Sequence, residues 1–139
     1  MGVTGLALLV PSLALLVAGP AAHADPPMCH GKAATIVGAS TAHTIVGTEA
    51  DDVIVAGSAT RTVKGLGGDD TICAGGAAGV EIDGGPGNDL LDSDSDQPGA
   101  DKLVGGPGND RLIAGGDGTG TPNVSGPDRC VITRASATS

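Results

Sequence analysis

Large aliphatic residues recur at about every ninth position along most of the chain, separated by polar or glycine-rich segments. Eight of the ten intervals are nine residues, and the two that follow Ile72 and Leu91 are ten and twelve. Each residue is expected at the centre of a three-residue strand and to point inward, because side chains alternate along a strand. A period held from residue 36 to residue 130 predicts stacked structural repeats. The inward series is Ile36, Ile45, Ile54, Val63, Ile72, Ile82, Leu91, Leu103, Leu112, Thr121 and Cys130.

Two repeats complete one coil, so alternate members of the series are predicted to stack in two facing sheets. One row begins at Ile36 and ends at Cys130, and the other begins at Ile45 and ends at Thr121. The 139 residues include 25 Gly and no Phe, Tyr or Trp, which suits two thin aliphatic rows better than a thick globular core. The sequence predicts an all-β fold, a right-handed parallel β-roll over residues 34–132, with an N-terminal lead at 25–33 and a C-terminal tail at 133–139.

Two segments, residues 84–92 and 105–113, match the pattern G-G-x-G-x-D-x-U-x, in which U is a large aliphatic residue. On these motifs the chain resembles the RTX (hemolysin-type) calcium-binding repeat family. The resemblance implies that Ca²⁺ is held by backbone carbonyls and Asp side chains of two adjacent turns on the same edge of the roll. The glycines give the turns backbone angles that other residues resist.

The residue two positions before each inward residue is the candidate ligand, and alternate turns lie on opposite edges. Carboxylates stacked about 4.8 Å apart repel by up to roughly 3 kcal/mol, and an ion between them removes that repulsion. Calcium suits such a position because it takes six to eight oxygen ligands in flexible geometry. One edge carries Ala34, Asp52, Asp70, Asp89, Asp110 and Asp128, and the other carries His43, Arg61, Val80, Asp101 and Thr119.

The predicted calcium ligands are therefore the carboxylates of one edge and glycine carbonyls of its turns. Up to four sites are expected between successive Asp residues, and the interval between Asp89 and Asp110 has the two complete turns. Departures from the glycine pattern at residues 49–50 and 123–125 weaken the end sites. The alternative is that the Asp residues only cap turns. The predicted ligands are Asp52, Asp70, Asp89, Asp110, Asp128, Gly65, Gly84, Gly87, Gly105 and Gly108.

The N-terminus predicts secretion. An apolar run from Leu6 to Ala18 precedes Ala22-His23-Ala24, a small-x-small cleavage pattern, so residues 1–24 are expected to be a signal peptide. The run is shorter than the roughly 20 residues that span a bilayer. The net charge of −9 disfavours nucleic acid and anionic membranes as partners and favours cations such as calcium.

Three cysteines fit an exported protein with at most one internal disulfide. Cys73 follows an inward residue and should face outward, and a Cys29–Cys73 bond tying the lead to the roll is the preferred pairing. His30 has no partner that would make a site, and His43 is interpreted as a tolerated substitution. The acidic segment at 92–96 is expected to be a solvated loop, with an extra weak calcium site as the alternative.

These features predict an extracellular structural or binding module that binds calcium and whose folding is coupled to it. No catalytic set is recognisable, so the chain is not expected to be an enzyme. The alternative function is binding of glycan or ice through a flat strand face, which requires regular outward Thr rows. The outward residues of the early coils are Thr44, Val46, Val53, Val55, Thr62, Lys64, Thr71 and Cys73.

Overall fold

The computed structural model describes residues 24–74, 76–93, 100–114, 121–123 and 129–132. Thirteen short strands follow one another in these ranges, and the described residues contain no helix. The strands are β1 Met28–Cys29, β2 Lys32–Ala33, β3 Ile36–Val37, β4 Thr44–Val46, β5 Val53–Val55, β6 Thr62–Lys64, β7 Thr71–Cys73, β8 Glu81–Asp83, β9 Leu90–Asp92, β10 Lys102–Val104, β11 Arg111–Ala114, β12 Thr121–Asn123 and β13 Arg129–Ile132.

Strands β3 to β13 form two parallel sheets, with consecutive strands alternating between them. Sheet I contains six strands in the order β13-β11-β9-β7-β5-β3, and sheet II contains five in the order β12-β10-β8-β6-β4. In sheet I, Ile54 pairs with Ile36 and Ile72, and Leu91 pairs with Leu112. The predicted parallel β-roll is therefore confirmed. The ten- and twelve-residue steps do not shift the register of the inward residues. Ile72 still pairs with Leu91, and Ile82 still pairs with Leu103.

The core lies between the sheets and consists of the predicted aliphatic rows. Ile54, Ile72 and Leu91 of sheet I and Val63 and Ile82 of sheet II have no exposed surface. Fully burying an Ile, Leu or Val side chain contributes about 1.5–3 kcal/mol each. The rows hold the coils together without aromatic residues, and small side chains fill the margins of the core: Ala56, Ala74, Ala77, Val80 and Ala114.

The last coil departs from the prediction. Pro122, and not Thr121, pairs with Leu103 in sheet II. The prediction was wrong because it continued the nine-residue step beyond Leu112, whereas Leu112 to Pro122 is ten residues and Pro122 to Cys130 is eight. Proline donates no backbone hydrogen bond, which is tolerated here because β12 lies at the end of sheet II. Cys130 pairs with Leu112 as predicted.

The N-terminal lead forms a hairpin, made of β1 and β2, that lies on the outer face of sheet I. Its two-residue turn is His30-Gly31, with φ of 48° and 80°, and positive values at both positions are what a type I′ turn requires. The predicted Cys29–Cys73 disulfide is present and joins the hairpin to β7. Lys32 Nζ donates a hydrogen bond to Thr71 Oγ1 at 3.1 Å. Thr71 is consequently buried although it faces outward from the roll.

Several predictions concern residues outside the described ranges. They are the signal peptide up to residue 23, the candidate ligand at Asp128, the opposite-edge residue Thr119, most of the acidic loop and the tail at 133–139. Within the ranges that are described, there is no helix of the length and apolar character needed to cross a membrane.

Candidate metal sites

Four of the predicted ligands stack in a buried column along one edge, which we call the aspartate edge. Asp52, Asp70, Asp89 and Asp110 are each at most 6% exposed. Each Oδ1 in the column, from the second residue onward, accepts a hydrogen bond from the backbone N–H of the preceding Asp. The N–O distances are 2.8 Å for Asp52 to Asp70, 2.9 Å for Asp70 to Asp89 and 2.9 Å for Asp89 to Asp110. These bonds hold the carboxylates in one orientation.

The hydrogen bonding of the second carboxylate oxygen, Oδ2, differs along the column. The Oδ2 atoms of Asp70 and Asp89 are buried and accept no hydrogen bond. A buried polar atom left without a partner costs about 1–3 kcal/mol, and more when it carries charge. At Asp52 the equivalent oxygen accepts hydrogen bonds from Thr48, at 2.7 Å from N and 2.9 Å from Oγ1. The first turn therefore satisfies the Oδ2 atom of Asp52 with protein donors, whereas the Oδ2 atoms of Asp70 and Asp89 have none.

Glycine brings backbone carbonyls next to the unsatisfied oxygens. A Cβ added at Gly65 would overlap both Asp70 Oδ2 and the carbonyl oxygen of Gly84. A Cβ at Gly84 would likewise overlap Asp89 Oδ2 and lie 2.8 Å from the carbonyl oxygen of Gly105. Each carboxylate thus shares one small volume with a carbonyl of the next coil. The volume beside Asp70 exists because Gly65 has no side chain, and the volume beside Asp89 exists because Gly84 has none.

A second carbonyl column runs beside the first. Gly87 packs its Cα against the carbonyl oxygen of Gly68, and Gly108 packs against that of Gly87. The predicted glycines thus divide into two columns, with Gly65, Gly84 and Gly105 beside the carboxylates and Gly87 and Gly108 farther along each turn. Their roles as calcium ligands stay predictions.

The electrostatics of the column reflect burial and like charge. The pKa of Asp89 is raised from 3.8 to about 7, mainly by desolvation and then by the charges of Asp70 and Asp110, while the hydrogen bond from the Asp70 backbone opposes the rise. Desolvation likewise raises the pKa of Asp70 to about 6, with Asp52 adding to the rise by repulsion. Both carboxyl groups resist ionisation when no cation lies beside them.

The structure also contains a ladder that sequence reasoning missed. The residues that precede the first three column Asp residues have exposed side chains, and the Oδ1 of each accepts a hydrogen bond from a backbone N–H one coil later. Asp51 accepts from Asp69 at 2.8 Å, Asp69 from Asn88 at 2.8 Å, and Asn88 from Asn109 at 3.1 Å. The signal was available, because each of the four column Asp residues is directly preceded by Asp or Asn.

Among the described residues, the opposite edge has no comparable column. Asp101 is buried, and its Oδ1 accepts a hydrogen bond from Val80 N at 3.0 Å. Arg61 Nη1 donates to the carbonyl of Ala78 at 2.7 Å, and His43 Nδ1 lies 3.1 Å from the carbonyl oxygen of Ala59. His43 and Arg61 therefore contact backbone, and the described part of this edge stacks no second carboxylate on Asp101.

The aspartate edge fits a hard divalent cation. Its inner turns bring carboxylate and carbonyl oxygens together, the Oδ2 atoms of Asp70 and Asp89 accept no hydrogen bond, and glycines leave room for the carbonyls. Calcium takes six to eight such oxygens, whereas magnesium demands tight octahedral geometry and retains water. Comparison with known proteins agrees. A family model for the RTX calcium-binding nonapeptide repeat matches in four copies, at residues 38–72, 46–80, 74–98 and 97–118.

The chain belongs to the RTX calcium-binding nonapeptide repeat family. Its RTX repeats are calcium-binding repeats, and the β-roll they form is a structural calcium-binding fold and not a known enzyme fold. Neither the curated proteins nor the solved structures contain a match.

Proposed function

We propose that this RTX chain is a secreted structural module whose coils are held together by calcium along the aspartate edge, and whose folding depends on that ion. The observation that carries the proposal is the stacking of buried carboxylates at Asp70 and Asp89, whose Oδ2 atoms accept no hydrogen bond from the protein. The predicted signal peptide supports export.

The ions are assigned to the intervals between successive coils. Three intervals lie within the described residues: Asp52 to Asp70, Asp70 to Asp89, and Asp89 to Asp110. Gly84 and Gly105 offer their carbonyls beside Asp70 and Asp89. A fourth interval would extend to Asp128. The Asp52 interval is the weakest of the three, because Thr48 already donates two hydrogen bonds to Asp52.

Coupling of folding to calcium follows from the energetics of the column. Without a cation, folding must bury carboxylates that repel one another and that have lost their water. When bound, calcium supplies positive charge and replaces the lost hydration. Because the column exists only when the coils are stacked, the binding free energy adds to the stability of the folded state.

Calcium titration of the purified protein tests the proposal. Isothermal titration calorimetry is expected to give two to four sites, and far-ultraviolet circular dichroism is expected to gain strand signal over the same calcium range. Magnesium at the same concentration should produce neither response. Identical circular dichroism in calcium and in chelator would refute the folding coupling, and absence of calorimetric binding would refute the sites themselves.

The alternative function, binding of glycan or ice through a flat strand face, receives less support. On sheet I the hairpin covers Thr71. On sheet II the row that begins with Thr44 and Thr62 continues with Glu81 and Lys102, which form an ion pair at 2.6 Å. Charge therefore interrupts the regular threonine row that such a surface requires.

A further inference from the structure

Four side chains with metal-binding atoms meet where the N-terminal hairpin crosses sheet I. Cys73 and Asp92 are register partners on neighbouring strands β7 and β9. The hairpin contributes Cys29, bonded to Cys73, and His30, whose Nε2 lies 2.6 Å from Asp92 Oδ2. One ligand atom each from His30, Cys73 and Asp92 lies within 4.8 Å of the others. Sequence reasoning gave His30 no partner, and the structure places its imidazole beside Asp92.

The donor set differs from that of the aspartate edge. Two sulfurs, one imidazole nitrogen and one carboxylate oxygen are ligands that zinc accepts in tetrahedral sites. Zinc bond lengths of about 2.0–2.3 Å place such ligand atoms roughly 3.3–3.8 Å apart. The ligand atoms of His30, Cys73 and Asp92 lie within 4.8 Å of one another, and Cys29 Sγ is bonded to Cys73 Sγ. A calcium ion prefers oxygen ligands and does not suit it.

The disulfide decides whether these ligands can act together. In the oxidised chain the two sulfurs are bonded to each other and are not thiolates, which are the forms that bind zinc. We propose that reduction of Cys29–Cys73 creates a zinc site formed by Cys29, Cys73, His30 and Asp92. The metal then replaces the disulfide as the link between the hairpin and the roll.

The conversion balances with a trialkylphosphine as reductant. The phosphine and one water reduce the disulfide to two thiols, and the phosphine becomes its oxide with the water oxygen. Zinc then binds both sulfurs as thiolates and releases two protons. Cys29 and Cys73 have a Cα–Cα distance of 5.8 Å. The His30–Asp92 contact must open by roughly 0.7 Å to reach the ligand spacing of a tetrahedral site.

The identity of the turn residue supports the proposal. His30 occupies the first central position of the turn, where φ is 48°. Asn and Gly are the residues usually preferred there. A disulfide between hairpin and roll needs neither an imidazole at position 30 nor a carboxylate at position 92. Yet both side chains have ligand atoms within 4.8 Å of Cys73 Sγ, and Cys29 is almost fully buried.

Cobalt(II), a spectroscopic substitute for zinc, tests the site on the whole protein in saturating calcium. The phosphine-reduced chain is expected to bind one cobalt with thiolate charge-transfer and tetrahedral d–d absorption, and zinc should displace it. The oxidised chain should give neither band. His30→Asn, which tolerates the turn conformation, and Asp92→Asn are each expected to weaken binding at least about 10-fold.

Matched controls are His43→Asn on the opposite edge and Asp83→Asn, an exposed residue at the corresponding position of sheet II. Both should bind cobalt as the unaltered chain does. Circular dichroism of each reduced sample verifies that the roll is intact. Equal binding by reduced and oxidised protein would overturn the proposal. So would unchanged binding in both cluster variants, because the site would then be a dithiol alone, and so would absence of the tetrahedral spectrum.

Discussion

Replacing Asp89 by Asn should change stability in opposite directions with and without calcium. The amide keeps an oxygen that accepts the hydrogen bond from Asp70 N, so the coil geometry is preserved. It removes one buried charge from the middle of the column. Calcium-free protein should therefore gain stability, whereas the calcium-bound protein should lose a charged ligand shared by two intervals.

The size of the calcium-free effect follows from the pKa of Asp89, which burial and neighbouring charges raise from 3.8 to about 7. Each pKa unit corresponds to about 1.4 kcal/mol, and roughly halving the total for solvent screening leaves about 2 kcal/mol at pH 8. In calcium, each tenfold loss of affinity removes about 1.4 kcal/mol of stabilisation per site.

The assay measures folding by circular dichroism in two titrations. In chelator, the variant should fold at a lower concentration of a stabilising osmolyte than the unaltered chain. In buffer without osmolyte, it should need more calcium. Asp101→Asn on the opposite edge is the matched control and should leave both midpoints nearly unchanged. A variant that needs more osmolyte, or one with an unaltered calcium midpoint, would refute the reasoning.

Three further predictions concern the glycine volumes, pH and the hairpin. Gly84→Ala should lower the free energy of unfolding by about 1–3 kcal/mol and weaken calcium binding, because the new Cβ overlaps Asp89 Oδ2. In the control Gly76→Ala the new Cβ meets no atom within 4 Å, so the free energy of unfolding should change by no more than about 0.5 kcal/mol. Urea unfolding and calcium calorimetry compare the two variants. In chelator, the circular dichroism signal of the strands should fall as pH rises from 4 to 8. Because the pKa of Asp89 is raised in the folded state, that state binds more protons than the unfolded state and loses stability as they dissociate. A signal that rises or stays flat over this pH range would contradict the prediction. Cys73→Ser should lower the free energy of unfolding in calcium by about 2–4 kcal/mol, because the lost disulfide joins residues that are 44 positions apart. Equal urea midpoints for the variant and the unaltered chain would show that the disulfide does not stabilise the roll.

The sequence predicted the roll because its inward aliphatics repeat with a period that only stacked coils explain. Register survived two irregular steps because Ile72, Leu91 and Leu112 each had to enter the same core. The predicted phase is wrong where that constraint weakens. Pro122 replaces Thr121 opposite Leu103, in a segment without a large aliphatic residue to fix the phase.

The column of Asp residues was likewise predictable. Each Asp lies two positions before an inward residue, and the sheet that this inward residue enters determines the edge on which the Asp lies. The contacts around it were not. The ladder through Asp51, Asp69 and Asn88 depends on the direction of each side chain, which a one-dimensional pattern does not specify. His30 and Asp92 are 62 residues apart, and only the docked hairpin brings them together.

The irregular steps have a consequence for how this chain can change length. Both extra segments, after Ile72 and after Leu91, enter turns of the opposite edge, while the turns from Gly47 to Asp52 and from Gly105 to Asp110 have the same length. From Gly47 to Asp110 the turns of the aspartate edge therefore keep a constant length, whereas the opposite edge accommodates extra residues. Foreign peptides grafted between Ser93 and Ala100 should be displayed without altering the pitch of the solenoid.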